Sequence, residues 1–226
     1  MSSEKSIVIL GYTGAVGKEV VRTLLQLGSF QKITLLGRHF IKEFDHENVR
    51  QYQIDIFDPP SYLKLLDAHE SAICTLGVGQ PSKISKEDFV KIDRDAVLNF
   101  ASGCKHAGIK HFELLASVGS NAQSTSYYLR IKGELEDGLR ALQFDRLSLF
   151  RPSIILTPSN RYGISQGILL RLFPILNPLL FGSLSKYRGI PVELLGSAIA
   201  RNIFCKGQGQ EILYWTEIMD LVHDGN

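Results

Sequence analysis

The 226-residue chain carries 25 basic and 23 acidic side chains, a net charge of +2 scattered along its length, which excludes the basic footprint of a nucleic-acid binder. A hydrophobic content of 44% over a length that suits one domain, 1–226, points to a globular protein with a sizeable core. Cys74, Cys104 and Cys205 are odd in number and far apart, and the histidines are scattered, so neither a disulfide framework nor a metal site is expected.

The polar start, Met1 to Ser6, runs straight into an apolar strand at 6–10 without the apolar core of a signal peptide, so a cytoplasmic protein is expected. That strand breaks into Gly11-Tyr12-Thr13-Gly14-Ala15-Val16-Gly17 and opens a helix at 15–27. Val16, Val20, Val21, Leu24 and Leu25 share one face of the helix, and Gly28 is placed to stop it. Gly11, Gly14 and Gly17 allow a tight turn and let a phosphate approach without meeting a Cβ. With Thr13, Ala15 and Val16 they form a cradle at a helix N-terminus, whose free N–H groups and dipole favour an anion. The spacing is G-x-x-G-x-x-G, not the more familiar G-x-G-x-x-G, so context has to support it.

A second strand at 32–36 is followed at once by Gly37-Arg38-His39. About twenty residues after the glycine turn, an NAD site would place an acid on the ribose 2′-hydroxyl. Arg38 stands there instead, and its forked, permanent charge suits a 2′-phosphate, which predicts NADP(H) over NAD(H). His39 reads as a bystander. A third strand at 49–54 ends in Asp55-Ile56, placed either to meet an adenine edge or, for Asp55, to cap a turn. Pro59-Pro60 starts a short helix, and a fourth strand at 72–76 closes in Leu76-Gly77, where the middle of a dinucleotide would pass close to the backbone.

A long helix is predicted over 85–107, a fifth strand over 112–116 ending at Ser117, a helix over 126–142, and a sixth strand over 147–150 running into Arg151-Pro152-Ser153. Beyond 153, the apolar stretch 164–181 is interrupted by Arg171, Pro174, Asn177 and Pro178, which argues against a membrane span. Residues 154–190 read as substrate-side loops and short helices, 192–206 as a packed helix, and 211–215 as a last strand. The fold class is therefore α/β, a Rossmann-type doubly wound parallel sheet of order 3-2-1-4-5-6. Residues 1–153 form its cofactor-binding core and 154–226 a small irregular elaboration.

Ser117, Tyr128 and Lys132 form the candidate catalytic set. Tyr128 and Lys132 are four apart on one helix and share a face, and Ser117 ends the preceding strand near the same sheet edge. A tyrosine hydroxyl titrates near pH ~10 when unperturbed, and a neighbouring ammonium favours its ionised form, which suits proton exchange with a carbonyl oxygen. Ser117 would hold that oxygen, and Lys132, with Tyr128, would also touch the cofactor.

Read in order, the glycine turn, Gly37-Arg38, Leu114-Leu115-Ala116-Ser117, Tyr128-x-x-x-Lys132 and Phe150-Arg151-Pro152 resemble the atypical short-chain dehydrogenase/reductases. More closely they resemble the Tat-interacting-protein oxidoreductase subgroup. The resemblance implies NADPH binding, with Pro152 in the cofactor set and Ser117, Tyr128 and Lys132 in catalytic positions. It also implies regulatory roles in nuclear transport and apoptosis, hence the nucleus as a second location. The chain departs from the pattern at Ala116, Ser153 and Asp93, the last standing nearest to a helix asparagine that these enzymes often use.

The leading expectation is an NADPH-dependent reductase of a small carbonyl compound. The alternative is a cofactor-sensing protein that meets a protein partner through 154–190. A nucleotide-sugar epimerase or dehydratase uses the same Tyr and Lys but calls for a larger C-terminal substrate region.

Overall fold

The structure, a computed structural model, describes residues 5–157 and 180–223. Residues 158–179, the heart of the expected partner or substrate-side segment, lie outside the described residues. Strand β1 (Lys5–Leu10) leads into α1 (Ala15–Leu27), β2 (Phe30–Gly37), β3 (Val49–Gln53) and β4 (Ser71–Cys74). Then follow α2 (Lys86–Val90), a π-helical turn (Lys91–Asp95), α3 (Ala96–His106), β5 (His111–Leu115), α4 (Tyr127–Ala141) and β6 (Arg146–Phe150). The chain closes with β7 (Ile155–Leu156), β8 (Ile190–Pro191), α5 (Val192–Asn202), β9 (Gly209–Leu213) and α6 (Trp215–His223).

All seven strands of the main sheet run parallel, in the order β3-β2-β1-β4-β5-β6-β9. The predicted order 3-2-1-4-5-6 holds, and a seventh strand from the C-terminal region extends it beside β6. Helices cover both faces, so β1 and β4 are buried on both sides and read as unbroken apolar or small-residue runs. Val16, Val20, Val21 and Leu24 of α1 pack with Leu195, Ala198 and Ile199 of α5 on one face. Val97, Phe100 and Ala101 of α3 pack with Leu135 and Leu139 of α4 on the other. Helix α1 has its predicted bounds because the apolar stripe ends where Gly28 turns left-handed, φ 66°, and donates its N–H to Leu24 O at 3.1 Å.

Four predicted elements differ. The single helix over 85–107 is α2 and α3 joined by the π turn, which adds a residue to the helix and turns Asp93 inward. The last strand lies at 209–213, not 211–215, because Trp215 opens α6 and Glu217 reaches back to accept the Tyr214 N–H at 3.0 Å. Helix α5 stops at Asn202, where tighter turns through Phe204 and Cys205 take over. The helix expected at Pro59 is two short 3-10 turns, Pro59–Ser61 and Leu63–Leu65.

A buried polar layer fastens α5 to β5, β6 and β9. Asn202 donates to Glu113 Oε1 at 2.8 Å and to Ser148 Oγ at 3.1 Å, and Ser148 also meets His111 Nε2 at 2.8 Å. Arg146 donates to Glu211 Oε1 at 2.8 Å and to Asn202 Oδ1 at 2.7 Å. Burial lowers the His111 pKa to about 3 and raises that of Glu113 well above the usual carboxylate value, so both are held neutral. The unfolded chain releases the Glu113 proton above its ordinary pKa near 4.5, so this residue makes folding less favourable as pH rises, by at most about 1.4 kcal/mol per pH unit. Glu113→Gln keeps the acceptor for Asn202 without that proton uptake. Its thermal midpoint is expected to exceed that of the wild type at pH 8, with the gap shrinking toward pH 5, as read by thermal unfolding at the two pH values.

Candidate functional site

The end of β1 and the end of β4 meet at a distance that excludes side chains. Gly11 adopts φ +91°, and a Cβ there would lie 2.5 Å from Leu76 N. A Cβ on Gly17 would lie 2.4 Å from Gly11 O, so Gly17 seats the helix on the turn rather than facing a ligand. Thr75 Oγ1 donates to Gly11 O at 3.1 Å and ties the two strand ends together. Gly14 is the N-cap of α1, with no side-chain cap and no acid in the first turn. The first N–H groups of α1 are therefore left for an anion, and the bare backbone at Gly11 and Gly14 is a cradle of the kind a pyrophosphate needs.

From this turn a groove runs along the carboxyl ends of the strands on both sides of the β1/β4 switch point, where ligands of open α/β sheets sit. One lobe, of about 690 Å³, is lined by Gly11, Thr13, Gly14, Arg38, Asp55, Ile56, Leu76 and Gly77. The other, of about 360 Å³, shares Gly14, Thr75, Leu76 and Gly77 with it and adds Ala15, Val16, Asp93, Ala116, Tyr128, Lys132 and Ser153. Arg38 is exposed, and among the described residues its guanidinium has no hydrogen-bond or ion-pair partner. Asp55 lines the groove and also caps a turn, its Oδ1 accepting the Phe57 N–H at 2.9 Å.

Besides Gly17, two expected residues stay out of the wall. The Ser117 hydroxyl lies 3.4 Å from Val118 O, and Leu115 and Ala116 take the lining positions. Pro152 is buried with its carbonyl accepting the Val118 N–H at 2.9 Å, and its neighbour Ser153 lines the groove. Thr75 and Ser153 are wall residues that sequence reasoning did not single out. Their positions just past β4 and β6 are the signal that would have found them.

Tyr128 and Lys132 share the second lobe, as their helical spacing requires. The Tyr128 ring packs on Phe89, centroids 5.6 Å apart, whereas Tyr127 turns away to donate to Lys86 O at 2.9 Å. Lys132 is 5% exposed and Asp93 1%, and Lys132 Nζ sits 2.7 Å from Asp93 Oδ1. That contact is a charge pair outside hydrogen-bond geometry, while Asp93 Oδ2 accepts the Val78 N–H at 2.8 Å. A Cβ on Gly77 would come within 3.1 Å of Asp93 Oδ1, so the glycine makes room for the carboxylate. Burial alone lowers the Lys132 pKa, but Asp93 outweighs it and holds the ammonium above its ordinary value. The π turn that delivers Asp93 thus builds a buried, oppositely charged pair beside the tyrosine.

A parallel sheet of this order, a glycine cradle at its switch point and a Tyr-x-x-x-Lys pair in the adjoining lobe define a short-chain dehydrogenase/reductase-like protein with a dinucleotide-binding Rossmann fold. The chain is 33% identical over 225 residues to the protein HTATIP2 of Rattus norvegicus, covering 98% of this chain and 91% of that one. It belongs to the HTATIP2 family. A Scheffersomyces stipitis protein, FMP52-1, mitochondrial, is 29% identical over 196 residues, covering 86% of this chain and 82% of its own. Among solved structures, MoeE5 in complex with UDP-glucuronic acid and NAD superposes with a TM-score of 0.71 at 15% identity, covering 92% of this chain and 75% of MoeE5. The Bordetella bronchiseptica enzyme WbmH in complex with NAD+ gives 0.68 at 18%, covering 93% and 75%. No protein-family profile matches the chain.

The expectation of a cytoplasmic protein, with the nucleus as a second location, is overturned: the FMP52 relatives from Scheffersomyces stipitis, Debaryomyces hansenii and Candida albicans are mitochondrial proteins. The expectation weighed only a secretory signal, and mitochondrial import needs no apolar core of that kind. Among the described residues no helix is long and apolar enough to cross a membrane.

Removing one half of the buried pair leaves the other uncompensated. Asp93→Ala is expected to cost about 3–5 kcal/mol at neutral pH. Burial without Asp93 lowers the Lys132 pKa below that of the unfolded chain, so the variant regains stability as pH rises toward 9.5. Denaturant titrations of the variant and wild type at pH 7 and pH 9.5 read both effects.

Proposed function

We propose that the chain is an NADP(H)-dependent oxidoreductase that interconverts a carbonyl and an alcohol on a small molecule. The observation that carries this reading is the continuity of the groove: the glycine cradle, an unpartnered Arg38 at one end, and Tyr128 with Lys132 at the other. A nicotinamide cofactor, when bound, supplies or accepts the hydride. In this assignment the helix N-terminus at Gly14–Val16 receives the pyrophosphate, and Arg38 the 2′-phosphate. Asp55 and Ile56 flank the adenine, and Leu76 and Gly77 border the middle of the dinucleotide.

Tyr128 donates its hydroxyl proton to the substrate oxygen during reduction and takes it back in the reverse direction. Lys132 keeps its charge next to that hydroxyl and reaches the ribose. Asp93 pairs with the ammonium, so the field it presents to the lobe is that of an ion pair rather than of a bare cation. Ser153 presents a hydroxyl in the wall, whereas Ser117 must leave Val118 O to hold the substrate oxygen. The nucleotide-sugar complexes among the structural relatives share the fold and carry no substrate assignment to this chain.

A second reading, a cofactor-sensing interaction protein, draws on Phe181, Leu184 and Tyr187, which are 74%, 50% and 43% exposed on the turn Gly182–Tyr187. Turnover separates the two. Purified protein is expected to bind NADPH more tightly than NADH, and Arg38→Ala to erase that preference; equal affinity of the wild type for both would remove the 2′-phosphate assignment. NADPH oxidation against a panel of aldehydes and ketones is expected to fall by at least about 100-fold in Tyr128→Phe. Cofactor binding without turnover on any member of the panel would favour the sensor.

A further inference from the structure

Arg38 lies in a segment that the sheet does not hold. Strand β2 ends at Gly37, whose carbonyl accepts the Ile54 N–H at 2.9 Å, and among the described residues the backbone of 38–40 makes no hydrogen bond to other backbone. Two side chains do the holding. Tyr12, fully buried inside the glycine turn, donates its hydroxyl to His39 O. Gln51, on β3, accepts the Ile41 N–H at Oε1 and donates from Nε2 to Ile41 O, both at 2.9 Å, a reciprocal pair like one rung of a sheet. The Tyr12 hydroxyl stands 3.2 Å from Gln51 Oε1, so the two anchors also meet each other.

The Tyr12 ring is itself fixed. It packs against Phe44 with centroids 6.3 Å apart, and a Cβ on Gly37 would lie 2.6 Å from Tyr12 Cε1. The residue between the first two glycines of the phosphate cradle therefore supports, from beneath, the corner from which Arg38 reaches out. A guanidinium on an untethered loop would lose backbone freedom on meeting a phosphate, and a loop held in place beforehand has less to lose.

We propose that Tyr12 and Gln51 are specificity-determining positioning residues: by clamping 39–41 they hold Arg38 for a 2′-phosphate and set the preference for the phosphorylated dinucleotide. This rests on the assignment of Arg38 to that phosphate. Neither residue need touch the cofactor, and the clamp acts on the phosphorylated ribose without acting on the pyrophosphate or the nicotinamide.

The test is a fluorescence or calorimetric titration of wild type, Tyr12→Phe, Gln51→Ala and Arg38→Ala with NADPH and with NADH, alongside ligand-free thermal midpoints. Each clamp variant removes one or two hydrogen bonds, so its Kd for NADPH is expected to rise about 5- to 10-fold. Its Kd for NADH should stay within about twofold of the wild type, since each of those hydrogen bonds acts at the 2′-phosphate corner alone. Gln51→Ala, at the sheet edge, keeps the test usable if Tyr12→Phe folds poorly. Equal weakening of both cofactors would mean a merely structural role and overturn the proposal, as would an unchanged NADPH-to-NADH ratio while Arg38→Ala abolishes it. If wild type has no preference, or Arg38→Ala retains it, the 2′-phosphate assignment fails and the clamp with it.

Discussion

The contact between the turn at Gly11–Gly17 and the end of β4 is the constraint on which the groove depends. Chain order reverses there, because β2 and β3 build outward from one side of β1 and β4 to β6 from the other. A crevice opens at such a point only if the two strand ends pack close enough for the loops above them to diverge. Gly11 and Gly17 remove the Cβ atoms that would clash, and Thr75 adds a hydrogen bond across the junction. The same absence of side chains bares the helix N-terminus. Close packing and an uncovered helix N-terminus thus come from one set of residues, which is why the spacing of the glycines matters less than the backbone they expose.

Electrostatics in the second lobe follows from burial. An ammonium as enclosed as Lys132 would shed its proton without a counter-charge, and Asp93 supplies one at 2.7 Å. An aspartate in a regular helix over 85–107 would have had a different heading. The π turn at Lys91–Asp95 changes it, and Gly77 leaves the space it needs. Three local irregularities, a helical defect, a glycine and a buried pair, therefore form one arrangement in the lobe that Tyr128 also lines.

The parts of this arrangement that were legible in the sequence are those set by local rules. Helix α1 is written in a stripe of four buried aliphatics with a glycine stop, and the sheet order in the alternation of apolar runs with amphipathic ones. The places of Arg38, Tyr128 and Lys132 on the groove were legible because they depend on distance from a strand end or along a helix. The illegible parts are those set by contacts distant in sequence. The π turn has no compositional mark, and the lysine that its Asp93 meets stands on another helix. Whether Ser117 or Ser153 faces the groove depends on how the loops after β5 and β6 pair through Val118 and Pro152. Strand β9 lies two residues before the expected span because Trp215, whose aromatic ring also suits a strand, begins the next helix.

The groove has a firm floor in the parallel sheet and a sparsely held rim. Arg146, Asn202, Glu113 and Ser148 join β5, β6 and β9 to the helix by hydrogen bonds sealed from water, where each lost partner is costly. The residues assigned to recognise a ligand, by contrast, stand on short segments past the strand ends. Arg38 is held there by two side chains and Asp55 by its own turn. Altering a few anchors at such a rim leaves the sheet beneath in place. Tyr12 is the exception that joins the two levels, since it belongs to the floor by its burial and to the rim by its hydroxyl.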